Sequence, residues 1–529
     1  MSGSALLDRP RPRRSPPRGP RPGTRPGGPA PLTGPGGDAR VLSWLLGVAA
    51  VVVTTLTFCL LVPELWHWMV LPTACAGALV VVDVVEWIRG RLDVLQPRAV
   101  VALFGFHLCY LGPLLHVSWD YWPRFVSPPV DWRDSLGMLG LVNMLGLALY
   151  RGVLALPRRA PSPSRTSVDS RRFVLLGSLA AAVGVVALAA VVIRFGGPQG
   201  YLQVVTGRRE ALAGSGWLLL IAESWPMLLL AVVLVARRAW LRNHLLALLL
   251  LLGAFVLVQF VAGGLRGSRA NTVWPALMAV GLVHLVVARV RRRTIVAAAL
   301  VLVSFMYIYG FYKAAGTKVF DLASQTTTSE SLAETTGRTL PLLLLEDFGR
   351  AGTQSLVVDR LGHGGHLAWG ITYVGDLTKL LPEVLLTSSP DDKVAVGTDL
   401  LYGDRAYDSG LRSSRIYGLV GEGMLNFGLA GGVLAFLPFA FLVRWADERW
   451  RTALVSDELF LPLLAPTLTA VCVVALGSDF DNVLWLLAKQ VLPLALVVLV
   501  ARRAAAEAAR PVRGRPGGRR RRCAAIPPR

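Results

Sequence analysis

The feature that most limits what this chain can become is a succession of apolar runs, each close to the ~20 residues that a helix needs to cross the hydrocarbon core of a bilayer. They fall at about 41–61, 66–85, 99–117, 136–156, 173–195, 217–235, 245–262, 272–290, 294–312, 416–443, 459–477 and 483–500. Lipid offers no partner to a backbone N–H or C=O, so runs of this length must close their hydrogen bonds internally, as helices. Among 529 residues, 53% are apolar and only 17% charged, which agrees with that reading. The expected fold class is an all-α polytopic membrane protein with about twelve transmembrane helices.

Charge sorts the connections. A net charge of +22 would suggest nucleic acid in a soluble protein. Here the arginines sit mostly in short loops and at the two ends, and no basic, aromatic patch marks a soluble domain, so no nucleic-acid partner is expected. Alternate loops carry Arg89 and Arg91; Arg151, Arg158, Arg159, Arg171 and Arg172; Arg237, Arg238 and Arg242; Arg291, Arg292 and Arg293; and Arg444, Arg449 and Arg451. By the positive-inside rule these loops and both termini are expected in the cytoplasm. The intervening loops are poorer in charge and richer in Trp and Tyr, as in SWDYWPRFVSPPVDW at 118–132. Residues 1–40 have the composition of a disordered Pro/Arg tail, with no cleavage site for a signal peptide after the first apolar run, and 501–529 make a second basic tail. Arginine far exceeds lysine beside abundant Ala, Gly and Pro, which points to a GC-rich bacterial genome and hence a bacterial plasma membrane. Cys59, Cys75, Cys109 and Cys472 lie in apolar runs and Cys523 in the tail, a distribution that suits packing rather than disulfides or metal.

Nine helices are thus expected over 41–312 and three over 416–500, with one long extracytoplasmic loop at 313–415 between the ninth and tenth. This loop holds His363 and His366 in HGGH, too few ligands for a metal site, and the acids Asp391, Asp392, Asp399, Asp404 and Asp408. Its apolar pieces at 341–345 and 377–386 are too short to span and suit re-entrant or interfacial segments that could cover the mouth of a site.

Three expected outer positions break the charge bias. Arg208 and Arg209 lie in an amphipathic stretch after the fifth run, where lipid phosphate is the plain alternative to a substrate. Arg266 and Arg269 occupy a short turn between the seventh and eighth runs, against the topology signal, and a guanidinium fork matches phosphate oxygens bidentately. The third is the strip Arg405, Arg412 and Arg415, which meets Glu422 at the start of the tenth run. An intramembrane carboxylate is costly enough to mark a functional candidate, although pairing with an arginine for folding would also account for Glu422. Gly421 and Gly423 flank it, and Gly428 and Gly432 form a small-xxx-small pair. Glu223, beside Pro226 near the outer end of the sixth run, is a second such acid.

The segment GG…YL…RR…GSG at 196–216, the RGSR turn at 266–269, and a large loop running into a helix with YG, GE and NFGLAGG at 417–432 resemble the O-antigen polymerase or oligosaccharide repeat-unit polymerase (Wzy-type) family. The resemblance covers about 195–443 and implies a GT-C-like glycosyltransferase that needs no cofactor. Its substrate would be a lipid-linked oligosaccharide on the outer leaflet of the bilayer, its partners a chain-length regulator and a flippase. The growing glycan would pass from one undecaprenyl pyrophosphate to the non-reducing end of the next unit. The family's outward arginines, which engage pyrophosphate and glycan, correspond here to Arg266 and Arg269, then to Arg208, Arg209, Arg412 and Arg415. The chemistry requires positive charge on the departing diphosphate and a proton acceptor for the attacking hydroxyl, a role that falls to Glu422, with inversion at the anomeric carbon. Arg405, Glu223 and Asp408 are further candidates for substrate contact. A related glycan ligase, or a flippase or transporter of the same lipid, is the alternative.

Overall fold

A computed structural model describes residues 37–504 apart from 124–125, 159, 163–165, 208–215, 266–268, 316–335 and 382–389. Among them, eleven helices are long and apolar enough to cross a membrane: Val41–Leu61, Val70–Ile88, Pro97–Ser118, Trp132–Ala155, Ser170–Arg194, Gly216–Ala236, Leu245–Gly264, Ala270–Val287, Arg292–Tyr312, Phe460–Gly477 and Phe480–Val500. The pair Gly418–Leu434 and Phe436–Val455, bent by 57°, brings the number to twelve when counted as one span. The chain is therefore a multi-pass, helical membrane protein. Among the described residues, one small sheet pairs Thr166–Val168 with Arg502–Ala504, tying the start of the fifth helix to the end of the last.

Among the described residues, two large apolar cores organise the packing beside three smaller clusters. One core joins Val51, Tyr110, Leu136, Leu356, Met424 and Phe436. The other joins Phe173, Met227, Leu248, Met278, Leu463 and Val498. Phe460–Gly477 serves both, giving Cys472 and Leu476 to the first and Val471 and Val474 to the second. Trp274 packs against both as well, so the polar residues around the end of Phe460–Gly477 lie at a seam.

The tenth apolar run is not the single helix expected over 416–443. At Phe427 (φ −134°, ψ 21°) and Gly428 (φ 67°, ψ −163°) the backbone leaves helical geometry and reverses. The reversal is visible in the glycines. A Cβ on Gly431 would lie 2.2 Å from the carbonyl oxygen of Gly423, and one on Gly432 would lie 3.3 Å from that of Val420. Eight residues of straight helix would put Gly423 and Gly431 ~12 Å apart. The small residues thus let two half-helices of the same segment lie against each other, while Gly432 also faces the spanning helix Trp132–Ala155, where a Cβ would lie 2.9 Å from the Val142 side chain, and only a glycine adopts the positive φ at 428 without strain. The carbonyls freed at the tip find partners: Ala368 N–H donates to Leu425 O at 3.0 Å and Trp369 N–H to Asn426 O at 2.9 Å.

Those donors belong to the long polar segment, whose described part does not stand apart from the bundle. Its helices Ala351–Gly362, Ile371–Thr378 and Lys393–Tyr402 follow a π-helical turn, Leu342–Asp347, in which Leu343 and Leu345 are buried. The His107 ring is 2.9 Å from Leu344 O, and Arg350 Nε donates to Gly477 O at 2.8 Å. His107 lies near the middle of Pro97–Ser118, and so does the contact of Gly477, where a Cβ would meet Leu108 at 3.8 Å. The apolar piece at 341–345 is thus packed against the middle of a spanning helix.

At the opposite, arginine-rich end, a second set of buried charges fastens the helices. Asp83 holds Arg98 and, at 2.7 Å, Arg151. Asp447 accepts from Gln96 at 2.6 Å and Arg158 at 2.9 Å. Asp83 is matched by guanidinium groups on two neighbouring helices and Asp447 by that of Arg158, in the loop after Trp132–Ala155, as a charge away from water requires.

Candidate functional site

Three charge clusters meet at the seam. The first is centred on Asp347, the last residue of the π-helical turn. Both terminal nitrogens of Arg269 bind its carboxylate, and Arg338 Nη1 joins it at 3.2 Å. The neighbouring Glu346 pairs with Arg415 at 3.0 Å. Burial pushes the Glu346 carboxyl above its ordinary range despite the pull of Arg415 and Arg350. Arg350 Nη1 closes the turn by donating to Glu346 O at 2.8 Å.

The second cluster surrounds Asp479, which is fully buried between the last two spans. It accepts the backbone N–H groups of Tyr417 at 2.7 Å and Gly418 at 2.6 Å, and the ammonium of Lys393. Lys393 also reaches Asp481 at 2.7 Å. Burial alone would lower the Lys393 ammonium, but the two aspartates prevail and hold it above its ordinary range. The helix that carries Lys393 starts there because Asp392 caps it, accepting from Val394 N–H at 2.8 Å and Ala395 N–H at 2.9 Å. Beside this cluster Glu422, 2% exposed, accepts the Phe480 N–H at 2.7 Å. Its other oxygen lies 3.5 Å from the Thr372 hydroxyl, which also accepts from Asn426 Nδ2 at 2.7 Å.

The third cluster is an open one. A cavity of about 290 Å³ lies between Gly216–Ala236, Ala270–Val287 and Phe480–Val500, and is lined by Asn271, Trp274, Asn482, Trp485, Lys489 and Gln490 among others. Lys489 and Gln490 sit in a π-helical turn, Leu487–Val491, the kind of irregularity that turns side chains towards a site. Lys489 pairs with Glu223 at 3.0 Å. Asn482 connects cavity and network, since its Nδ2 donates to Asp481 at 2.8 Å. Arg269 immediately precedes Ala270, which also lines the cavity.

Of the candidates named from sequence, the structure brings Arg269, Arg415, Glu422 and Glu223 to this region. It leaves Arg405, Asp408 and Arg412 exposed on the surface, with Arg412 over the Tyr407 ring at 5.2 Å. The strip of three arginines meeting Glu422 is therefore corrected: Arg415 pairs with Glu346, and Glu422 is tied to Phe480 and Thr372. Enclosed in this way, Glu422 supports the backbone around it and does not line the cavity. Arg208, Arg209 and Arg266 lie outside the described residues, as do residues 1–36 and 505–529 of the two tails. Sequence reasoning missed Arg338, Glu346, Asp347, Arg350, Lys393, Asp479, Asp481 and Lys489. Two signals were present: a pair of acids in the five-residue turn SDFDN at 478–482, and a lysine alone in an apolar run.

No family model, curated protein or solved structure matches this chain.

Proposed function

We propose that the protein is a membrane glycosyltransferase that polymerises lipid-linked oligosaccharide repeat units, carried on undecaprenyl pyrophosphate, into a surface polysaccharide at the extracytoplasmic face. The observation that carries the proposal is the adjacency of Arg269 to the polar cavity: an arginine cluster with its counter-ions borders a space lined by amides and indoles, inside a multi-pass helical bundle. A diphosphate leaving group suits the first, and a glycan the second.

In this reading the hydroxyl at the non-reducing end of the acceptor attacks the anomeric carbon of the donor. The bond from that carbon to the diphosphate oxygen breaks, its electron pair leaves with undecaprenyl pyrophosphate, and the hydroxyl proton passes to a carboxylate. Arginines stabilise the charge that develops on the leaving group, and they do so best where water is sparse. The proton acceptor moves from Glu422, which is enclosed, to Asp481, which stands between Lys393 and the cavity residue Asn482.

The test is deletion followed by analysis of the lipid-linked glycans. Loss of a polymerase leaves single repeat units where a ladder stood. Units trapped on the cytoplasmic leaflet would identify a flippase. A ladder that persists on its lipid but fails to reach its final acceptor would identify a ligase, and an unchanged ladder would remove the proposal.

A further inference from the structure

Resting on the glycan-transfer reading, we infer that the cavity between Gly216–Ala236, Ala270–Val287 and Phe480–Val500 is a subsite for an uncharged sugar ring of the lipid-linked unit, held by Trp485, Trp274 and Gln490. Its volume of about 290 Å³ is at the small end for small-molecule sites. Two indoles supply apolar faces of the kind that pack against the C–H face of a pyranose, and three carboxamides, Asn271, Asn482 and Gln490, are each oriented by one N–H bond, to Gly263 O, Asp481 and Glu223 O, which leaves a second N–H on each nitrogen beside the amide oxygen for sugar hydroxyls.

Two further observations separate a sugar from an anion. The one cation among the lining residues, Lys489, is matched by Glu223 at 3.0 Å and sits 5.1 Å from the Trp485 ring centroid, so the cavity presents a neutralised pair. Gln490, 4% exposed, donates its Nε2 to Glu223 O at 3.2 Å, which fixes the amide and leaves Oε1 without a hydrogen-bond partner among the described residues. A buried acceptor in that condition calls for a donor, and a sugar hydroxyl provides one where a phosphate oxygen does not.

The experiment uses the full-length chain in lipid nanodiscs and follows its thermal unfolding midpoint, which a bound ligand raises. The probes are the free repeat-unit oligosaccharide, released by mild acid from the producing cells' lipid-linked pool, and inorganic pyrophosphate. The oligosaccharide raises the midpoint of the wild type. Its apparent affinity falls about tenfold or more in Trp485→Leu and in Gln490→Leu, and is largely kept in Trp485→Phe, which retains an aromatic face. The response to pyrophosphate is the same in all four proteins. An oligosaccharide response that survives both leucine variants, or that the wild type lacks, overturns the subsite. So does a pyrophosphate response lost in those variants, which would make the cavity an anion site. Trp485→Phe guards against simple misfolding, because it must keep both the starting midpoint and the response. The two readings fail separately: a normal ladder after deletion with oligosaccharide binding intact removes the polymerase alone, and a lost ladder with binding indifferent to the variants removes the subsite alone.

Discussion

Glu422 and Phe480 are joined at 2.7 Å, carboxylate to backbone N–H, across the seam between the reversed half-helix and the last span. The contact serves an N–H at a helix start, where no intrahelical acceptor exists. Glu422→Gln keeps an oxygen for it, whereas Glu422→Ala leaves it buried and unpaired at a cost of about 1–3 kcal/mol. Glu422→Gln is therefore expected to preserve inserted protein and much of the glycan ladder, and Asp481→Asn to abolish the ladder at normal protein level. Gel analysis of the ladder beside quantitative membrane immunoblots checks this. A lost ladder in Glu422→Gln with a normal one in Asp481→Asn would return the proton-acceptor role to Glu422.

Asp347 balances two guanidinium groups, those of Arg269 and Arg338. Neutralising it as Asp347→Asn leaves both cations facing each other in a half-buried site. Breaking one side of such an arrangement costs about 3–5 kcal/mol. The thermal midpoint of the purified protein should fall steeply in Asp347→Asn, and Arg269→Gln should recover part of the loss in the double variant. Strictly additive effects would show that the pair does not interact as described.

How legible this was from sequence varies by element, for physical reasons. Spanning helices announce themselves because each must be apolar along ~20 residues, whatever it packs against. Residues such as Arg269 were visible because they oppose the charge bias. The break at Phe427–Gly428 was not, since a reversing pair of half-helices and a continuous span share one apolar composition. Only Gly428 hinted at it, in a chain with 53 glycines. Asp347 and Lys393 escaped notice because they lie in a hydrophilic stretch, where a charge carries no penalty until the segment folds inward. Asp83 and Asp447 escaped because an arginine distant in sequence offsets each of them, Arg151 on Trp132–Ala155 and Arg158 in the loop that follows it.

The raised Glu346 carboxyl carries a pH prediction. Between its ordinary value of 4.5 and its higher value in the folded chain, the folded state holds a proton that the unfolded state releases. Stability from this group therefore rises as pH falls through that window, by about 1.4 kcal/mol for each tenfold difference in proton affinity. Compared with Glu346→Gln, which has no proton to gain, the wild type should become relatively more stable on going from pH 7 to pH 5. Thermal midpoints of both proteins at the two pH values measure it. A wild type that loses ground to the variant on acidification would contradict the burial on which the argument rests.

The hairpin of half-helices makes the last prediction, because its geometry depends on backbone contact that no larger residue permits. A Cβ on Gly431 would meet the Gly423 carbonyl oxygen at 2.2 Å and the Phe427 Cβ at 2.6 Å, and the first of these is backbone that cannot swing aside. Overpacking of this kind typically costs about 1–3 kcal/mol, with more where backbone must move. Gly431→Ala should therefore open the hairpin and pull Asn426 from Gly370, whose N–H it accepts at 2.9 Å. Gly253→Ala is the control: nothing lies within 4 Å of a Cβ there, and in mid-helix an alanine is favoured over glycine by up to about 1 kcal/mol. Hydrogen exchange over 366–376 should accelerate in Gly431→Ala and stay at the wild-type rate in Gly253→Ala, with the glycan ladder lost only in the first. Equal exchange in the two variants would mean that the half-helices do not touch, and that the tenth apolar run crosses as the single helix its composition suggests.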